Sequence, residues 1–153
     1  MTRRVLVVDD SRTQAEALRG LLDAGGYAVT IAASGREALT AARRDPPALV
    51  VSDIVLPEMD GYALCRTIKS DDELKSTPVV LVTAFSGPHD IIKALECGAD
   101  SFVRKPYDTD DLLARLRYLE RAEARLRARG APREAHARDH APHPSRWLAV
   151  PGG

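Results

Sequence analysis

Along the first 120 positions, short runs of aliphatic residues alternate with segments whose apolar residues recur at helical spacing. Val5 to Val8 is apolar throughout and stops at Asp9 and Asp10, the pattern of a strand buried on both faces. Leu18, Leu21 and Leu22 then share one helical stripe, and Gly25-Gly26 lets that helix close in the left-handed conformation. Tyr27 to Ile31 predicts a second strand. Ser34 with Glu37 three positions later is a capping box opening a second helix, which runs through Ala42 until Pro46 and Pro47 stop it. Leu49 to Val51 predicts a third strand ending at Asp53, and after a turn over Pro57 to Gly61 the pair Leu64 and Ile68 marks a third helix. Val79 to Val82 predicts a strand ending at Thr83, Pro88 suits the first turn of a helix that Gly98 terminates, and Ser101 to Val103 is a last strand. Asp108 caps a final helix with the stripe Leu112, Leu116 and Leu119.

Strands alternating with helices in this way predict an α/β fold, a doubly wound five-stranded parallel sheet with five helices and right-handed crossovers. Ligands of such folds bind beyond the carboxyl ends of the strands. Those ends carry Asp9 and Asp10, Asp53, Thr83 and Lys105.

Composition narrows the class. The 153 residues, 44% hydrophobic and 29% charged, suffice for one domain and a remainder. The apolar runs are far shorter than the roughly 20 residues of a membrane span, and the run behind Arg3 and Arg4 is too short and too soon acidic for a signal peptide, so a cytoplasmic protein is expected. Cys65 and Cys97 lack metal or redox-motif spacing and read as reduced surface or packing residues. Net charge is zero, yet residues 121–153 hold seven arginines and three acids, with Pro132, Pro142, Pro144, Pro151 and a closing Gly152-Gly153. The expected division is a domain over 1–129 and a basic, disordered tail over 130–153.

Three carboxylates brought together stay charged only with a cation among them, and an all-oxygen site of that kind suits magnesium completed by water and phosphate oxygens. Lys105 supplies a mobile positive charge for the same phosphoryl group and Thr83 a hydroxyl donor. Neither a GxxxxGK[ST] loop nor a GxGxxG turn is present. The set points to phosphoryl transfer with a carboxylate as nucleophile.

Four segments, VVDDS at 7–11, SDIVLPEMDGY at 52–62, VTA at 82–84 and FVRKPY at 102–107, stand in the order and spacing of the receiver domain of two-component response regulators, which residues 3–120 resemble. The resemblance implies the flavodoxin-like receiver fold and Asp53 as phosphoacceptor. It also implies magnesium bound by Asp10, Asp53 and the Val55 carbonyl, with Asp9 holding a metal-bound water. Thr83 and Lys105 would contact the phosphoryl oxygens, Phe102 would be the switch aromatic, and the Lys105-Pro106 bond would be cis. Val55 and Phe85 stand where family members tune the phosphoryl lifetime; both are apolar, which implies slow hydrolysis. The implied partners are a sensor histidine kinase or histidine phosphotransfer protein as donor and a downstream protein. A homodimer through the fourth helix, fifth strand and fifth helix is a further implication; from the sequence itself no DNA-binding domain and no membrane segment are expected.

On this reading the protein is a signalling phosphoacceptor that catalyses only its own phosphorylation and dephosphorylation. Two alternatives share its residues. An aspartate-based magnesium phosphatase would use the same nucleophile and metal, although the connections are too short for a cap; a pseudo-receiver would bind partners without phosphorylation. LCRTIK and KPYDTDDLLARLRYL are also similar to receivers attached to sensor kinases or cyclases, but nothing the size of an output domain follows residue 120. In the tail, His136 and His140 have the spacing of a helical metal pair, with His143 nearby, but Pro142 and Pro144 oppose a helix and they read as solvated. The arginines between Arg121 and Arg138 read as a solvated extension of the last helix rather than a nucleic-acid surface, and Trp147 with Leu148 and Val150 as a solvated end or a small docking peptide.

Overall fold

The computed structural model describes residues 3–84 and 87–128. Five strands and five helices alternate: β1 (Arg3–Val8), α1 (Arg12–Ala24), β2 (Tyr27–Ala32), α2 (Gly35–Arg44), β3 (Leu49–Asp53), α3 (Gly61–Ser70), β4 (Val79–Thr83), α4 (Pro88–Glu96), β5 (Ser101–Arg104) and α5 (Thr109–Ala128). The strands form one sheet of order β2-β1-β3-β4-β5, parallel throughout. This is the doubly wound, flavodoxin-like order, in which the chain reverses direction across the sheet at β1 and β3. Asp9 and Asp53 leave the sheet there.

The unbroken apolar run of β1 follows from its central place. Val5 and Val7 point to a core shared with Ala15, Leu18 and Leu22 of α1 and Leu112, Leu116 and Leu119 of α5. Leu6 and Val8 point to the opposite core, with Ala38, Leu39 and Ala42 of α2, Leu64, Cys65 and Ile68 of α3 and Ala94 of α4. Each such valine or leucine contributes about 1.5–3 kcal/mol by leaving water, so two cores hold the strand ends in fixed relation.

Local signals account for the helix ends. Ser11 Oγ accepts from Gln14 N and caps α1. Ser34 Oγ accepts from Glu37 N at the start of α2, and Asp60 Oδ1 accepts from Ala63 N at the start of α3. Gly26 and Gly98, at φ 95° and 82°, turn the chain out of α1 and α4 where a side chain would strain the backbone. Asp108 Oδ1 accepts from Asp110 N ahead of α5.

The buried face of α5 continues past its leucine stripe to Glu120, an anion the apolar spacing does not disclose. Tyr27 Oη donates to Glu120 Oε1 at 2.5 Å and Arg3 pairs with the same carboxylate, tying α5 to the start of β1 and β2. Burial, reinforced by that carboxylate, pushes the Tyr27 phenol up. Cys65 and Cys97 are both buried and unbridged; Cys65 Sγ donates to the Cys97 carbonyl at 3.3 Å. They are packing residues. Among the described residues, no helix is long and apolar enough to cross a membrane. The expected tail over 130–153, with His136, His140, His143 and Trp147, lies outside the described residues, as does Phe85.

Candidate active site

β1 delivers Asp9 immediately beyond Val8. Its backbone N–H still pairs with the Ala32 carbonyl at 3.0 Å, so the residue is held as a continuation of the sheet and its side chain is buried. Asp9 Oδ1 accepts from Ser11 N at 2.9 Å. Burial first, and then the charges of Asp53 and Asp10, raise its pKa above the ordinary carboxylate range, against the Ser11 bond and the attraction of Lys105. Asp10 next to it is exposed.

Asp53 is the last residue of β3, with 15% of its side chain exposed. Its Oδ1 accepts from Val55 N at 3.3 Å and its Oδ2 lies 3.3 Å from Lys105 Nζ. Lys105 follows β5, and its backbone N–H donates to the Thr83 carbonyl at 2.7 Å, which keeps the ends of β4 and β5 together. The Lys105-Pro106 peptide is cis, as the resemblance implies.

The loop from Asp53 to α3 depends on one glycine. Gly61 N donates to the Ile54 carbonyl at 2.8 Å, and a Cβ at Gly61 would sit 2.4 Å from the Asp53 carbonyl oxygen and 2.8 Å from Ile54 Cα. Both are backbone atoms. Only a residue without a side chain lets α3 start against the end of β3 this closely, and Glu58, at φ 66°, completes the tight return of the chain.

These residues border a cleft of about 510 Å³ walled by Asp9, Gln14, Asp53 and Lys105 at its polar side and by Leu18, Val51, Val82 and Tyr107 at its apolar side. Of the expected site residues, Asp9, Asp53 and Lys105 meet there. Thr83 stands at the end of β4 but is buried, and Phe102 on β5 packs in the core shared with α3 and α4, so neither forms part of the cleft wall. Val55 is exposed.

Gln14 was not among the residues singled out by motif. Its Oε1 accepts from Lys105 Nζ at 2.6 Å. The spacing held no signal: Gln14 is an exposed residue of α1, one turn ahead of the buried Leu18, and an exposed polar residue is ordinary on the outer part of such a helix.

The donor set, all carboxylate and carbonyl oxygen, suits a hard cation. Among the described residues, no group of three or more His, Cys, Asp and Glu side chains is arranged to hold a metal ion. Magnesium needs none, since it retains several waters and takes one or two carboxylates, and the charge that burial disfavours on Asp9 is what a cation would relieve. Asp9→Asn removes one of the mutually repelling charges while its amide oxygen keeps the Ser11 bond. The metal-free variant is expected to melt about 3–5 °C above the parent; thermal denaturation in a chelator measures this, and an unchanged or lower midpoint contradicts it.

A family model, the response regulator receiver domain, matches residues 5–117. The chain belongs to the response regulator receiver family. Response regulator PleD of Caulobacter vibrioides is 43% identical to this receiver over 121 residues, which are 79% of the chain and 27% of PleD. The chain thus spans about a quarter of the length of that relative. Among solved structures, the signal receiver domain of a signal transduction histidine kinase from Syntrophus aciditrophicus aligns with a TM-score of 0.75 at 41% identity, over 79% of this receiver and 92% of that chain. The receiver domain of sensor histidine kinase PA1611 from Pseudomonas aeruginosa was solved with a magnesium ion coordinated in its active site cleft. It aligns with a TM-score of 0.73 at 26% identity, over 78% of this receiver and 98% of that chain.

Proposed function

We propose that this receiver takes a phosphoryl group from a phosphohistidine of a sensor kinase or histidine phosphotransfer protein and stores it as an acyl phosphate on Asp53. The observation that carries the reading is the approach of Lys105 Nζ to Asp53 Oδ2, 3.3 Å, at the mouth of a cleft that also holds the buried Asp9. A carboxylate oxygen of Asp53 attacks phosphorus, the phosphorus to imidazole-nitrogen bond breaks, and the imidazole departs with that electron pair. Lys105 compensates charge on the transferring oxygens, so catalysis is positioning and electrostatics. Asp10, Asp53 and the Val55 carbonyl would hold a magnesium ion, with Asp9 engaging it through water, and the ion would supply further charge neutralisation.

The stored phosphoryl group biases a two-state equilibrium in which Thr83 turns toward it and Phe102 repacks. The surface so altered, α4, β5 and α5, carries the exposed apolar residues Ile92 and Tyr118, 53% and 55% exposed, and is where a downstream protein or a second copy would dock. The apolar Val55, beside the carboxylate, together with Phe85 favours a long-lived phosphoryl group. The receiver unit is taken as 1–129, in a cytoplasmic protein.

Incubation with acetyl phosphate, read by intact mass, is expected to add one phosphoryl group with magnesium and essentially none with a chelator. Continuous release of phosphate over many turnovers would mark a phosphatase instead, and absence of any label a pseudo-receiver.

A further inference from the structure

Lys105 has two partners in the cleft, and the nearer is not the acid. Its Nζ lies 2.6 Å from Gln14 Oε1 and 3.3 Å from Asp53 Oδ2. An ammonium only donates, so the carboxamide oxygen must face Lys105, which leaves the NH₂ of Gln14 as a further donor at the cleft wall. Gln14 is itself well placed to hold something: its backbone N–H is bound to the Ser11 cap at 3.3 Å, in the first turn of a helix whose inner face is locked in the core by Ala15 and Leu18. Lys105, by contrast, sits at the end of a flexible four-carbon stem in the loop after β5.

We propose that Gln14 is the positioning residue for Lys105, fixing its ammonium at the mouth of the cleft before and after phosphoryl transfer. The inference rests on the phosphoacceptor reading above. When Asp53 becomes an acyl phosphate, the carboxylate that attracts Lys105 ceases to be a free anion and its oxygens are redistributed, so the Asp53 contact changes during the reaction. The Gln14 contact involves no reacting atom and persists. A lysine held from one side only by a group that is being consumed would lose its place at the step where its charge is needed.

Gln14→Met keeps the length and helix preference of the side chain and removes the acceptor. Labelling by acetyl phosphate at saturating magnesium is expected to slow about fivefold, as for loss of one solvent-exposed hydrogen bond of ordinary strength, with the melting temperature unchanged. In a Lys105→Ala background the same substitution is expected to change the rate by less than a factor of about 1.5, because the group it positions is gone. Full-rate labelling by the single variant, or equal slowing in both backgrounds, would overturn the proposal. The hold on Lys105 is also read without any phosphodonor, by ¹⁵N NMR of its ammonium: proton exchange there should quicken in Gln14→Met, and unchanged exchange would refute the contact. If the parent protein fails to label while that exchange does quicken, the phosphoacceptor reading falls, and with it the catalytic role given to the contact.

Discussion

Asp53→Asn is expected to abolish labelling by acetyl phosphate while the folded protein remains. The amide oxygen of asparagine can still accept from Val55 N, the bond that now engages Asp53 Oδ1, and Lys105 keeps its bond to Gln14, so the loop after β3 loses no essential support. What disappears is the anionic oxygen that attacks phosphorus. An amide is a poor nucleophile, and the loss should be complete within detection rather than partial. The variant also sheds one of the repelling charges around Asp9, so its midpoint of thermal unfolding should equal or exceed the parent's. Intact mass and a melting curve together check both halves. A variant that still labels to the parent's extent would move the nucleophile to another carboxylate, Asp9 or Asp10.

Gly61→Ala is expected to be among the most damaging single-methyl changes in the chain. The added Cβ would meet the Asp53 carbonyl oxygen at 2.4 Å and Ile54 Cα at 2.8 Å, and neither can rotate away as a side chain would. Either α3 retreats from the end of β3, opening the core around Leu64 and Ile68, or the Asp53 loop is displaced. Overpacking of this kind costs about 2–3 kcal/mol, or roughly 10 °C in the unfolding midpoint. Phosphorylation should fall as well, because Asp53 is moved relative to Lys105. Gly20→Ala is the control: nothing lies within 4 Å of its added Cβ, in the interior of α1. There the change should stabilise by about 0.5–1 kcal/mol, since glycine is a poor helix former. Equal melting of Gly61→Ala and the parent would show that the close approach is not required.

The elements were legible in the chain because each strand is short, apolar and closed by a polar residue, and because capping and breaking residues stand at nearly every helix end. Asp9, Asp53 and Lys105 were legible for the same reason: a charged residue that abruptly ends an apolar strand must lie at the carboxyl edge of the sheet. What the pattern does not carry is side-chain reach across elements. Gln14 and Lys105 are 91 positions apart and Tyr27 and Glu120 93, and nothing local in either segment indicates the other. Asp100 is similar: its Oδ2 binds Lys69 Nζ at 2.7 Å and Val79 N at 2.8 Å, fastening the end of α3 to the start of β4. Leu74, buried in the turns between α3 and β4, was likewise outside any periodic stripe. Thr83 was assigned by its strand end and by the VTA segment at 82–84, which fix its place in the sheet; the direction of its side chain is set by packing.

Chemical mapping of the labelled residue tests the central assignment most directly. Borohydride reduces an aspartyl phosphate to homoserine and leaves free carboxylates untouched, so the parent protein, labelled with magnesium and acetyl phosphate, reduced and digested, should contain homoserine at position 53 and at no other aspartate. Homoserine at Asp9 or Asp10, or label that survives reduction without producing any, would contradict it.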